Sequence, residues 1–293
     1  MVKDGLDFFF NYPKLIGQSS HIITSFGMGV PELNAMIKAL PNSTYIFLEH
    51  GVTFFKKSVL NLYNSDYFDR ILVPSRRTKD IYDKDRLWPR EKMLLAGLPR
   101  WDLLCRRQHF QKNIFVFFTW RRSFYENKKA VKDYFAVIVS LLNKLAVVCE
   151  ENDVKINIAL HHQILYSGIR LPEFDGLNII NPNEISKYIG DADLLITDYS
   201  SICFDFMYLD IPVVFCRFNF HGKADDDHND VDFAKDDFLY NCCHSEEQVL
   251  ARIKCYLGNG FVLEPENVEK NDRFFWDKSN IREAVYREII KDT

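Results

Sequence analysis

The chain has no C-x-x-C pair: its seven cysteines stand at positions 105, 149, 203, 216, 242, 243 and 255. That spacing argues against a zinc site, and a chain of 293 residues does not need a disulfide framework. The thiols are expected to be reduced core residues of a cytosolic protein. Also missing is any run of the roughly 20 apolar residues that a membrane span requires. The opening stretch, MVKDGLDFFFNYPKL, shows neither a long apolar core nor a small-residue cleavage site. A cytoplasmic location is the expectation, with peripheral contact on the membrane left open. The formal charge of −4 gives no basic footprint, so no nucleic acid is expected as a partner. No internal repeat and no low-complexity linker interrupts the chain. What remains is ordinary for a globular protein, 47% hydrophobic and 27% charged, at a length that suits two domains.

Short apolar runs alternate with helical patterns, which implies parallel strands joined by helices. In the first series, strands are expected at 22–24, 44–48, 70–73 and 93–96. A helix is expected over 31–40, with Pro31 in its first turn, and a polar helix opens at Pro74-Ser75. The polar, basic stretch 106–112 suggests a domain junction. A second series starts with a strand at 114–118. A long helix follows over 127–150, its broad face formed by Val131, Tyr134, Phe135, Ile138, Leu141, Leu142 and Leu145. Strands at 154–160 and 179–180, a helix at 183–189, and helices at 245–257 and 279–291 complete it. The predicted architecture is α/β with two Rossmann-like domains, 1–109 and 110–293, the second including the terminal helix. Only four strands fit before residue 110, against about six in a full Rossmann-like domain, so the first domain is read as shortened.

The stretch 185–215, ISKYIGDADLLITDYSSICFDFMYLDIPVVF, carries the most information. An apolar run, Leu194-Leu195-Ile196, ends in Thr197-Asp198-Tyr199-Ser200-Ser201. A helical segment, then Asp210-Ile211-Pro212 and the run Val213-Val214-Phe215, complete a βαβ unit. Polar side chains thus gather at the carboxyl end of a strand, where open α/β sheets bind ligands. Ser200 or Ser201 is placed to cap the helix, and open first-turn amides would favour a phosphate.

These residues resemble the CDP-glycerol glycerophosphotransferases, the teichoic-acid polymerase and primase family. Three further matches come in the family's order: Glu49-His50-Gly51 followed by Lys56-Lys57, then Gly97-Leu98-Pro99-Arg100-Trp101-Asp102, then Phe118-Thr119-Trp120-Arg121. The resemblance spans roughly residues 20 to 290 and implies a GT-B-like arrangement, two Rossmann-like domains facing a cleft. It implies transfer of a polyol phosphate, most simply glycerophosphate, from a CDP-activated donor to an acceptor hydroxyl, with release of CMP. The acceptor would be a polyol phosphate or a lipid-linked glycan.

The resemblance gives His50 the role of general base, which suits an imidazole titrating near neutral pH. Capping of a strand end is the plainer reading. His161 aligns with a second essential histidine, although Ala159 stands where the family has arginine. Thr119, Arg121 and Arg122 are candidates for holding the diphosphate, because arginine stays charged and binds phosphate bidentately; a solvated basic turn is the rival. Thr197, Asp198, Ser200, Ser201 and Asp205 form the strongest donor-binding cluster, with Asp198 as a simple turn former the alternative. Gly51, Lys56 and Lys57 are assigned to the acceptor side. No cofactor and no tightly held metal is implied. Asp191-Ala192-Asp193 formally fits a D-x-D motif but precedes its strand, so it is read as a helix-end charge pair. Seven aspartates between 225 and 237 suggest a solvated loop or a lid. The mixed stretches Phe54-Phe55-Lys56-Lys57 and Arg86-Leu87-Trp88-Pro89-Arg90 could touch an anionic membrane surface or be ordinary exposed helices and turns. A glycosyltransferase using a nucleotide sugar, and a non-catalytic binding domain, remain as alternatives.

Overall fold

The computed structural model describes residues 19–25, 43–49, 51, 52, 54, 68–85, 87–107, 110–119, 128–160, 171–173, 175–218 and 238–291. Among them the strands are β1 (His21–Thr24), β2 (Thr44–Phe47), β3 (Arg70–Val73), β4 (Met93–Leu95), β5 (Asn113–Phe118), β6 (Lys155–Leu160), β7 (Leu177–Ile180), β8 (Leu194–Thr197), β9 (Val213–Cys216) and β10 (Cys242–Cys243). The α-helices are α1 (Arg76–Asp85), α2 (Lys128–Asn152), α3 (Cys203–Tyr208), α4 (Glu246–Asn259), α5 (Pro265–Phe274) and α6 (Ile281–Ile290).

Two compact units result. One comprises residues 1–53, 57–100 and 275–293; the other comprises 54–56 and 101–274. In the first, four parallel strands lie in the order β1-β2-β3-β4. Ile46, Ile71, Leu72, Val73 and Leu94 are fully buried, and strands covered on both faces read as unbroken apolar runs. Ser75 starts α1 by accepting the amide of Thr78 on its hydroxyl at 3.0 Å.

The second unit holds a six-stranded parallel sheet in the order β10-β9-β8-β5-β6-β7. On β5, Ile114, Val116 and Phe118 join the face of α2 formed by Tyr134, Ile138, Leu141, Leu142 and Leu145. Phe115, between them in sequence, meets Phe206 of α3 at 5.6 Å. The period of two along a strand thus puts α2 and α3 on opposite faces. Ser245 caps α4 by accepting the amide of Gln248, and Gly260, in the left-handed region at φ 70°, ends it.

Four expectations change. The terminal helix α6, grouped in sequence with the second series, belongs to the first unit. Arg70 Nη1 donates to the Glu288 carbonyl at 3.0 Å, Trp276 Nε1 donates to the Val73 carbonyl at 2.8 Å, and Ser75 bridges Phe275. The junction falls at residues 100 and 101 rather than in 106–112. That stretch looks like a linker because it is polar, yet the polarity has partners within the second unit: Arg106 Nη1 donates to the Asp210 carbonyl at 2.8 Å and the Gln111 amide to Asp193 at 3.0 Å. The segment 183–189 forms two 3-10 turns, Pro182–Lys187 and Ile189–Asp191, instead of an α-helix. Helix α5 and the two-residue strand β10 escape the pattern altogether; α5 is largely polar and buries Asn267, Asn271 and Phe274.

Candidate functional site

In the second unit the chain begins mid-sheet with β5 and winds outward through β6 and β7. It then returns to the other side of β5 with β8 and continues through β9 and β10. The connections leaving β5 and β8 therefore diverge, which opens a crevice beyond the carboxyl ends of those two strands. Thr119 directly follows β5, and Asp198 to Ser201 directly follow β8. Most of the predicted donor-binding cluster sits at this switch point.

One carboxylate ties the two strand ends together. Asp198 Oδ1 accepts the Thr119 amide at 2.9 Å and the Thr119 hydroxyl at 2.8 Å. Its Oδ2 accepts the Tyr134 hydroxyl of α2 at 2.9 Å. Asp198 is 1% exposed, and these bonds hold the β5 end at a set distance from the β8 end. Tyr134 belongs to the apolar face of α2 in the sequence pattern; its hydroxyl role would have been legible only as a polar tip on an aliphatic stripe. Thr197 is fully buried and donates its hydroxyl to the Phe117 carbonyl at 2.6 Å. It braces the β5–β8 pairing from inside.

Ser200 is mostly buried and Ser201 half-buried. The Ser200 hydroxyl accepts the Ile202 amide at 3.4 Å, and no side chain caps α3. The amides of Cys203, Phe204 and Asp205 donate to the carbonyls of Ser200, Ser201 and Ile202. The expected open first-turn amides are therefore engaged, because a six-residue helix entered through a tight turn closes i to i+3 bonds early. Serine hydroxyls, rather than α3 amides, are the polar groups of this loop available to an anion.

Asp205 is buried and accepts the Trp101 indole N–H at 2.6 Å. Trp101 also stacks on Tyr208 at 4.8 Å. The Gly97 to Asp102 motif and the Thr197 to Phe215 motif are thus two halves of one contact, with Asp205 turned toward the indole. On the acceptor side, Gly51 is buried and Glu49 adopts a left-handed φ of 58°. The buried Glu49 carboxylate accepts the Tyr82 hydroxyl at 2.7 Å, a partnership that spacing alone does not reveal.

His50, Lys56, Lys57, Arg121, Arg122, His161 and the aspartates of 225–237 lie outside the described residues. Among the described residues no three His, Cys, Asp or Glu side chains cluster as metal ligands. Of the D-x-D pair, Asp191 pairs with Arg107 and Asp193 accepts the amides of Gln111 and Asn113. Burial holds the Asp193 carboxyl above its ordinary value, against the pull of those amides. Phe54 and Trp88 are buried, so neither presents a ring to a membrane. Arg90, in the second of those stretches, pairs with Asp83. Among the described residues no helix is long and apolar enough to cross a membrane. The cysteines divide: Cys149, Cys203, Cys216 and Cys243 are buried, whereas Cys105 and Cys255 are exposed. Burial pushes the Cys149 thiol up to about 12 and the Cys243 thiol up to about 11.

The family model of the CDP-glycerol:poly(glycerophosphate) glycerophosphotransferases matches residues 7–291. The chain belongs to this family. It is 27% identical over 273 residues to the minor teichoic acid biosynthesis protein GgaB of Bacillus subtilis (strain 168), covering 85% of this chain and 29% of that protein. It is 25% identical over 170 residues to a teichoic acid poly(glycerol phosphate) polymerase of Staphylococcus epidermidis, covering 52% and 23% respectively. The chain thus spans less than a third of the length of these curated relatives. A solved variant of the wall teichoic acid polymerase TagF aligns with TM-score 0.67 at 20% identity, over 96% of this chain and 76% of that one. The UDP-GlcNAc 2-epimerase of Methanocaldococcus jannaschii aligns with TM-score 0.52 at 12% identity, over 91% and 78%. These two likenesses speak for the fold, which is α/β and GT-B-like, with two parallel-sheet units. Since a polymerase and an epimerase share it, the fold leaves the reaction to be argued from the site.

Proposed function

We propose that the chain transfers glycerophosphate from CDP-glycerol to an acceptor hydroxyl and releases CMP, in the synthesis of a teichoic-acid-like polymer. Family membership points to the chemistry, and a TagF variant has been solved after soaking with CDPG. The observation that carries the reading is the switch point of the second unit, where Thr119 at the end of β5 is bonded to Asp198, which stands two residues before Ser200-Ser201 in the loop after β8. A diphosphate seated there would take hydrogen bonds from the serine hydroxyls and charge from Arg121 and Arg122, while Asp198 holds the loops in place.

In this reading the acceptor oxygen attacks the phosphorus on the glycerol side of the diphosphate. Its proton passes to His50, the bridging P–O bond breaks, and the electron pair leaves with CMP. Positioning and charge stabilisation supply most of such a barrier reduction. His161 contributes to the diphosphate side, and Gly51, Lys56 and Lys57 to the acceptor side. The acceptor is a growing polyol phosphate or a lipid-linked glycan. A lipid-linked acceptor places the protein peripherally on the cytoplasmic face of the membrane. The unit made of residues 1–53, 57–100 and 275–293 is the acceptor-side part and the other unit the donor-binding part.

The test is incubation with CDP-glycerol labelled in the glycerol, plus a poly(glycerol phosphate) primer. Release of CMP together with incorporation of label is expected, and His50→Ala should abolish both. Release of UDP from a UDP-sugar, with CDP-glycerol left intact, would contradict the proposal.

A further inference from the structure

Strands β8 and β9 run parallel with Thr197 opposite Phe215. Two residues after each, past the ends of both strands, come Tyr199 and Arg217. There the Arg217 guanidinium lies over the Tyr199 ring, 4.9 Å from its centroid. Its backbone is fixed as well, the Arg217 amide donating to the Cys243 carbonyl at 2.7 Å. Tyr199 is buried and immediately precedes Ser200. Arg217 is a half-buried residue whose guanidinium, with Nε and Nη1 buried, thus sits against the same loop that carries the two serines. Contact with the ring reduces the rotamer freedom lost on binding, and the planar guanidinium fork matches phosphate oxygens. No motif in the sequence singles Arg217 out, since it follows an apolar strand as a lone basic residue.

We propose that Arg217 is a donor-contacting residue that binds the diphosphate of a CDP-linked donor. As the bridging P–O bond breaks, the guanidinium takes up the negative charge that develops on the departing CMP, without giving up a proton. The assignment rests on the transferase reading above and adds to it a cation on the β9 side of the serine loop.

The experiment is calorimetric titration of the full chain with CDP and, separately, with cytidine, which has the base and ribose but no phosphate. Loss of a charged hydrogen-bonding partner in R217Q should weaken CDP binding by about 10- to 100-fold. Cytidine binding should stay unchanged. R217K keeps the charge but not the fork or the stacking, so its CDP affinity should fall between the two. CMP release should slow in the same order. A folded R217Q that binds CDP within about 2-fold of wild type would overturn the assignment. So would an equal loss for CDP and cytidine, which marks a structural role. Should R217Q fail to fold, R217K carries the test on the same comparison of CDP with cytidine. A wild-type chain that binds neither molecule overturns the transferase reading and Arg217 with it, whereas failure confined to the variants overturns Arg217 alone.

Discussion

Replacing Asp198 with alanine removes the acceptor for three donors at once: the Thr119 amide, the Thr119 hydroxyl and the Tyr134 hydroxyl. The two hydroxyls can rotate, and Tyr134 already points toward the Thr119 carbonyl at 3.4 Å, so each loses about 0.5–1.5 kcal/mol. The amide has no such freedom and, once orphaned, costs about 1–3 kcal/mol. The sum for Asp198→Ala is about 2–6 kcal/mol, toward the upper end if no water reaches the vacated space. Asp198→Asn keeps an acceptor toward Thr119 and allows Tyr134 to accept instead of donate, so it should cost only about 1 kcal/mol. Urea unfolding followed by circular dichroism measures both. A cycle combining Asp198→Ala with Thr119→Val should show a coupling of about 0.5–1.5 kcal/mol, because the two substitutions delete a shared bond. Additive losses, or an Asp198→Ala cost below about 0.5 kcal/mol, would refute the claim that this carboxylate holds the β5 and β8 ends together.

Trp101→Phe keeps an aromatic ring against Tyr208 but withdraws the indole N–H from Asp205; a loss of about 1.5–3 kcal/mol is expected from urea midpoints, since the partner is a buried carboxylate. Gly190→Ala would place a methyl 2.1 Å from the Cys105 carbonyl, a backbone atom that cannot swing aside. A cost of about 1–3 kcal/mol or failure to fold should follow, and a neutral melting temperature would contradict the contact. In native protein at about pH 8, iodoacetamide should label Cys105 and Cys255 first. Cys149, with its thiol raised to about 12, is only about one part in ten thousand thiolate there, and mass spectrometry should find it unmodified until the chain unfolds.

How far the sequence reveals this molecule depends on the range of each interaction. Strands β3, β5 and β8 are legible because strands buried on both faces need unbroken apolar runs, and Ile71 to Val73, Ile114 to Val116 and Leu194 to Ile196 supply them. The loop after β8 is legible because serine, threonine and aspartate gather where a strand ends. The partnership of Thr119 with Asp198, 79 residues apart, is not: each was a donor candidate, and their bond to one another appears only once β5 and β8 lie side by side. Asp205 looked like a phosphate-loop residue because its partner Trp101 is 104 positions away. Helix α6 went to the wrong neighbour for the same reason. Helix α5 stayed hidden because it anchors through amides, Asn271 Nδ2 donating to the Met207 carbonyl and to Asp210, rather than through an apolar stripe.

The central claim is that a CDP-linked donor seats its phosphates against the loop joining β8 to α3. Amide hydrogen exchange of the full chain, with and without saturating CDP-glycerol, tests it most directly. Added protection at Thr119 and across residues 198–204 is predicted, greater with CDP-glycerol than with glycerol phosphate alone. Saturating CDP-glycerol that leaves those amides exchanging at their original rates, while protecting others, would contradict it.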